Sequence, residues 1–256
     1  MPSIEISEEK GVRSLHFGSH WVQGAMRIAR PWSLELEYTR EMMLPLLFHA
    51  EPWPATALQV GLGAASITRF LHRHRPKARV TVVEIVPEVV AAARQFFKLP
   101  EESARLAIEI GDGHEFMSIS KRRFDLIVLD GFDENGRAGM LDTLPFYLNC
   151  RERLAAKGMM TVNLLRRRGG VAASVARLRE AFDHVILLPP CEAGNVVAVA
   201  AKAPPPARSL DDLQAATLAL KSRTGLDLTP TVRRMREAGS HLLSWTPPTD
   251  RGRTPQ

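Results

Sequence analysis

The chain has 256 residues, 45% of them hydrophobic and 24% charged, with 34 Lys and Arg against 28 Asp and Glu for a formal net charge of +6. This is an ordinary balance for a soluble globular protein with one main domain; the excess positive charge permits contact with nucleic acid or a membrane surface without requiring either. Two cysteines, Cys150 and Cys191, exclude a disulfide framework, and the absence of a leader pattern or of a run near 18 apolar residues points to a cytoplasmic protein with no membrane span.

Residues 1–37 alternate in short stretches broken by Gly11, Gly18 and Gly24, which predicts small β-hairpins. From Tyr38 the spacing turns helical through Met42, Met43, Leu46 and Leu47. Strands and helices then alternate over 38–202. Ala57–Gly61 is an apolar strand, Ile67–His74 a helix, Arg79–Ile85 a β-branched buried strand and Pro87–Phe97 a helix opened by proline. Leu106–Ile110 and Phe124–Leu129 are further strands, Phe146–Leu154 a helix and Met159–Leu165 a fifth strand. A helix around Val171–Phe182 precedes a closing pair, Val185–Leu188 and Val196–Ala200. This alternation predicts a Rossmann-like α/β fold, a mostly parallel sheet with helices on both faces. After Pro204-Pro205-Pro206, a stiff linker, a helical tail over 203–246 has apolar spacing at Leu210, Leu213, Leu218 and Leu220 behind a Ser209 cap; it would pack on the domain or on a second copy in a homodimer. Residues 247–256 read as disordered.

In such sheets ligands bind beyond the carboxyl ends of the strands, and three motifs fall there. Gly61-Leu62-Gly63 follows the first strand, where small residues let a ligand approach the backbone. Glu84 ends the second strand, placed to accept hydrogen bonds from both ribose hydroxyls. Gly111-Asp112-Gly113 ends the third, where Asp112 would accept from an adenine amino group or make an Asx turn, with Gly113 permitting the bend. Ser66 stands where a dinucleotide site would want a third glycine, so the set predicts a single nucleoside of the S-adenosylmethionine type.

These residues, in this order, resemble the spermidine synthase family of aminopropyltransferases. The resemblance runs over roughly residues 4–200, through Gly18–Gln23, Glu37–Met43, the glycine loop, Val82–Ile85, Ile110–Gly113, Asp130-Gly131-Phe132-Asp133, Phe146-Tyr147 and Gly158–Val162. It implies that Gln23 touches the nucleoside or its tail, Glu84 the ribose and Asp112 the adenine. It further implies that Asp130 activates the attacking amine and that Asp133 helps to hold it. The donor would be S-adenosylmethionine or its decarboxylated form, the acceptor a small amine, and the setting polyamine biosynthesis. The Asp pair has a plainer reading as a loop that caps the next element.

The chain also departs from the family. Ala64 stands where the family has the aspartate that grips the donor's amine, and Val86 where a second acid follows the ribose glutamate. Arg40 falls on the histidine of the family's Tyr-His-Glu-Met helix, which leaves Tyr38 out of step. Pro189–Asn195 replaces aromatics around the polyamine. Two alternatives therefore stand beside aminopropyl transfer: a methyltransferase using intact S-adenosylmethionine, and a non-catalytic nucleoside-binding protein. A nucleic-acid role would rest on the run from Arg166 to Gly170 and on basic residues of the tail, but an arginine run of this size reads as a solvated loop, so nucleic acid is not the expected partner. His72 and His74 lack metal-binding spacing, so no metal is expected, and Cys150 reads as a buried helical thiol.

Overall fold

The computed structural model describes residues 3–18, 21–166, 170–206 and 208–239. Ser19, His20, most of the arginine run and the stretch expected to be disordered lie outside the described residues.

The chain opens as an antiparallel meander, β1 (Ile4–Glu9), β2 (Val12–Phe17) and β3 (Val22–Arg27). Lys10 and Gly11 both take positive φ in the two-residue turn joining β1 to β2, the geometry that matches the strands' twist. Next comes α1 (Glu37–Glu41), then one turn of 3-10 helix at Leu44–Leu47. The sequence predicts one continuous helix here; the structure breaks it, since Pro45 has no amide to donate to the Glu41 carbonyl and sits instead in the first turn of a new 3-10 helix.

The main domain follows as β4 (Thr56–Val60), α2 (Ser66–His74), β5 (Arg79–Glu84), α3 (Pro87–Phe96), β6 (Leu106–Ile110), α4 (Gly113–Ile119) and β7 (Phe124–Leu129), then α5 (Leu144–Arg153), β8 (Leu154–Leu165), α6 (Ala172–Ala181), β9 (His184–Leu187) and β10 (Asn195–Ala201). The seven-stranded sheet has the order β6-β5-β4-β7-β8-β10-β9. Strands β4 to β8 are parallel, and β10 runs antiparallel to both neighbours. Alternate side chains divide between two cores. Val80, Val82, Leu126 and Val128 face one side, and Leu58, Val60, Ile127 and Leu129 the other. The mixed α/β architecture, a mostly parallel sheet with helices on both faces, is thus the one the strand pattern implies.

After the proline segment the tail forms α7 (Leu210–Thr224) and α8 (Thr229–Glu237). Ser209 and Asp212 close a capping box at the start of α7, and Gly225 ends it in the left-handed conformation. Leu213, Leu220, Val232 and Met235 then bury into the same core as α1, so the tail is packed on the domain. Among the described residues no helix is long and apolar enough to cross a membrane.

Candidate active site

Strand order reverses between β4 and β7, since β5 and β6 lie to one side of β4 and β7 onward to the other. Neighbouring connections leave in opposite directions there and open a crevice at the strands' carboxyl ends. A cavity of about 1040 Å³ occupies it. All eight residues singled out from the sequence line this one cavity: Gln23, Gly61, Gly63, Glu84, Asp112, Gly113, Asp130 and Asp133.

Its floor is tightly laced. The Gly61 amide donates to Val83 O and the Asp130 amide to Val60 O, both at 2.9 Å, tying the exits of β4, β5 and β7 together. Gly61 has φ +89°, and any Cβ there would collide with the Asp130 carbonyl, so only glycine fits. Gln59, buried in β4, donates to Gly61 O at 2.8 Å and accepts from Thr68 at 2.7 Å, which braces the glycine loop from below. From above, β3 lies on the same loop: a Cβ on Gly24 would stand 2.7 Å from that of Ala64, and Ser66 Oγ donates to Ala25 O at 2.8 Å. Ser66 is therefore a fastening for the meander. Ala64 is buried under β3 and does not line the cavity.

Glu84 is buried, and its carboxylate accepts from Leu62 N at 2.7 Å on Oε2 and from Val86 N at 2.9 Å on Oε1, with the Ile85 and Gly63 amides also directed at it. Burial pushes its pKa up, against the pull of these amides. Each oxygen keeps acceptor capacity for a ligand hydroxyl. Ile85 beside it is 61% exposed and presents an apolar face at the rim. Asp112 caps α4, its Oδ1 accepting from His114 N at 2.6 Å and Glu115 N at 3.3 Å. The Asx geometry weighed from the sequence is thus present, at the start of a helix that the pattern did not predict.

Asp130 sits just beyond β7 between two side-chain donors. Asn163 Nδ2 meets Oδ1 at 2.8 Å and the Tyr38 hydroxyl meets Oδ2 at 3.2 Å. Burial raises the carboxyl's pKa most, with nearby Glu84 adding to it, while the two donors pull it back. Burial, then Asp130's charge, holds the Tyr38 phenol well above its ordinary range, so it remains a donor. Asp133 is exposed, and its Oδ1 accepts from Asn135 N at 2.9 Å and Arg137 N at 2.8 Å, ordering its own turn. Three participants escaped the sequence reading: Gln59, Asn163 and Tyr38's contact with Asp130. The signal for the first two was a polar residue inside an otherwise apolar strand, which a folded protein must satisfy.

Among the described residues no group of His, Cys, Asp and Glu could hold a metal ion, and both cysteines are free and buried. The lining is strongly acidic: Glu37, Glu84, Asp112, Asp130, Asp133 and Glu134 stand against Arg137 and Arg166.

The family model described as the spermine/spermidine synthase domain matches residues 36–164. The chain is 36% identical over 248 residues to a polyamine aminopropyltransferase of Chromobacterium violaceum, covering 95% of this chain and 94% of that protein. It is 35% identical over 227 residues to one from Neisseria meningitidis serogroup A, covering 88% and 86%. A probable spermidine synthase from Corynebacterium glutamicum shares the fold with a TM-score of 0.71 at 20% identity, over 99% of this chain and 95% of that one.

Proposed function

The chain belongs to the spermine/spermidine synthase family, and from that premise we propose that it is a transferase moving an aminopropyl group from decarboxylated S-adenosylmethionine to a small amine. The observation that carries this reading is the acidic cavity, six carboxylates and two arginines with, among the described residues, only Glu37 of the six paired to a cation from outside the lining, Arg234, within a protein of net charge +6. Such a lining suits a sulfonium donor whose tail ends in an ammonium and an acceptor that arrives as a cation. A donor that kept its carboxylate would meet repulsion there.

Glu84 would accept from the ribose hydroxyls, Asp112 from the adenine amino group beside Gly113, and Ile85 would cover one face of the base. Gly61 and Gly63 let the nucleoside lie against the backbone, and Gln23 from β3 faces its tail. Transfer is an in-line displacement. The acceptor nitrogen forms a bond to the donor's methylene carbon, the carbon–sulfur bond breaks, and methylthioadenosine leaves as a neutral thioether. The acceptor must first lose a proton, which Asp130 takes; Asp133, at the mouth, would hold the amine electrostatically. Positioning supplies most of the acceleration, and the base contributes about 10²–10⁴-fold.

A methyltransferase reading retains one observation in its favour. Ala64 brings no carboxylate to the donor's tail, and it is packed under β3. Incubating the protein with either donor and a panel of mono-, di- and triamines decides between them. Formation of methylthioadenosine with an aminopropylated amine supports the proposal; S-adenosylhomocysteine with a methylated product would replace it.

A further inference from the structure

The donors around Asp130 continue into the sheet. Behind the bond from Asn163 Nδ2 to Asp130 Oδ1, Asn163 Oδ1 accepts from Asn195 Nδ2 at 2.9 Å. A carboxylate has nothing to donate, so Asn163 must turn its NH2 group toward Asp130. Its carbonyl then points back and needs a donor, which Asn195 supplies. Polarity therefore runs one way along Asn195, Asn163 and Asp130, and Tyr38 closes the carboxylate from its other side. Asn163 is 4% exposed on β8 and Asn195 is 7% exposed at the start of β10. The antiparallel register opposes Asn195 to Leu165 and Asn163 to Val197, which brings the two amides together across the strand pair. Asn163 and Asn195 alternate along their strands with the core residues Val162, Leu164 and Val196, and a buried amide destabilises a strand unless it is paired, so their presence calls for a use.

We propose that Asn163, locked in orientation by Asn195, is a positioning residue that holds Asp130 as an aimed carboxylate toward the acceptor amine; this rests on the aminopropyl-transfer reading above. With Oδ1 fixed by Asn163, the carboxyl plane cannot swing, and Oδ2 shares its remaining acceptor capacity between Tyr38 and the incoming ammonium. The titratable groups facing Asp130 are Tyr38 on α1 and Glu84 at the end of β5, with Cys191 from the β9–β10 loop near Tyr38. Among the described residues none of these brings positive charge, and the two neutral donors are what pull the carboxyl's pKa down against burial. Asn163 is the shorter of the two to Asp130.

The test uses Asn163→Leu, which is close in volume and lacks the donor. Loss of that bond raises Asp130's pKa, so the acid limb of kcat/KM should move up by about one pH unit. At a pH on that limb kcat should fall by up to about tenfold, while the donor's KM stays within about twofold. A structural defect alone would not move the limb. The second variant, Asn195→Leu, leaves Asn163 in place but unlocked and should shift the limb the same way by less. Carboxyl NMR with carbon-13-labelled aspartate reads Asp130 without any turnover, its resonance being identified by loss in Asp130→Asn. An Asp130 titration unmoved in both variants overturns the proposal; if Asn163→Leu does not fold, Asn195→Leu decides alone. Should the titration move while the parent transfers nothing to any amine, the functional reading fails and the positioning of Asp130 stands.

Discussion

Tyr38 and Asp130 lie 92 residues apart in sequence, and their side chains meet across the cavity, the phenol donating to Oδ2 at 3.2 Å. One comes from a five-residue helix ahead of the main sheet, the other from the exit of its central β7. The Asp130 carboxylate is therefore held on one side by a residue from outside the sheet.

Tyr38→Phe removes that donor and little volume. A hydrogen bond to a charged group is worth about 1.5–3 kcal/mol, so the transfer rate should drop about 10- to 100-fold, with methylthioadenosine affinity unchanged. Steady-state kinetics beside calorimetry checks this, and an unaltered rate would show the contact to be idle.

Asp130→Asn keeps the shape but removes the base and turns an NH2 group toward one of its two donors. Transfer should fall by about 10²–10⁴-fold, with donor affinity within about twofold. Loss of nucleoside binding along with turnover would place Asp130 on the donor instead of the acceptor.

Glu84→Gln replaces an acceptor-only group with one that must present an amide NH2 on one side. The backbone donors at Leu62 and Val86 compete with the ribose for the single remaining oxygen. Methylthioadenosine binding should weaken by about 1.5–3 kcal/mol, read by titration calorimetry; unchanged affinity contradicts the ribose assignment.

The sheet was legible because β-branched runs separated by helical periods permit little else, and the glycine loop, Glu84, Asp112 and Asp130 announce themselves by ending those runs. Local reading failed where a distant partner or a short element decided the outcome. Gly113–Ile119 begins with glycine and spans only seven residues, so its helix depends on the Asp112 cap and on packing rather than on periodicity. The helical spacing from Tyr38 concealed the stop imposed by Pro45. Asn163 is one polar residue in a run of apolar ones, and its meaning lies in Asp130 and Asn195, 33 and 32 residues away. Aligning the family's Tyr-His-Glu-Met helix put Arg40 on the histidine and left Tyr38 aside, although the fold turns its hydroxyl to the site.

Glu41 gives a prediction about stability. It is fully buried on α1, paired with Arg234 and Thr231, and burial outweighs Arg234's charge to raise its pKa from 4.5 to about 7. An acid raised in this way binds more protons folded than unfolded. Its contribution is thus complete below about pH 4.5 and is lost as the pH climbs to about 7. Glu41→Gln cannot ionise, so the parent's unfolding free energy should decline relative to the variant's by roughly 3 kcal/mol across that window. Urea melts at pH 4.5, 6 and 7.5 measure it, and parallel curves would mean that Glu41 titrates normally.

The clamp from Arg234 to Glu37 and Glu41 reaches back 197 and 193 residues. A ribosome delivers α1, with Tyr38 upon it, long before it delivers α8. Until that late helix emerges Glu41 has no cation to meet, and the segment bearing the phenol lacks its anchor. The glycine loop and Glu84 belong to elements made before α8, so on the proposed roles the nucleoside half of the crevice can assemble first and the half that orients Asp130 comes last. A nascent or prematurely ended chain would then be able to grasp a donor before it could spend one.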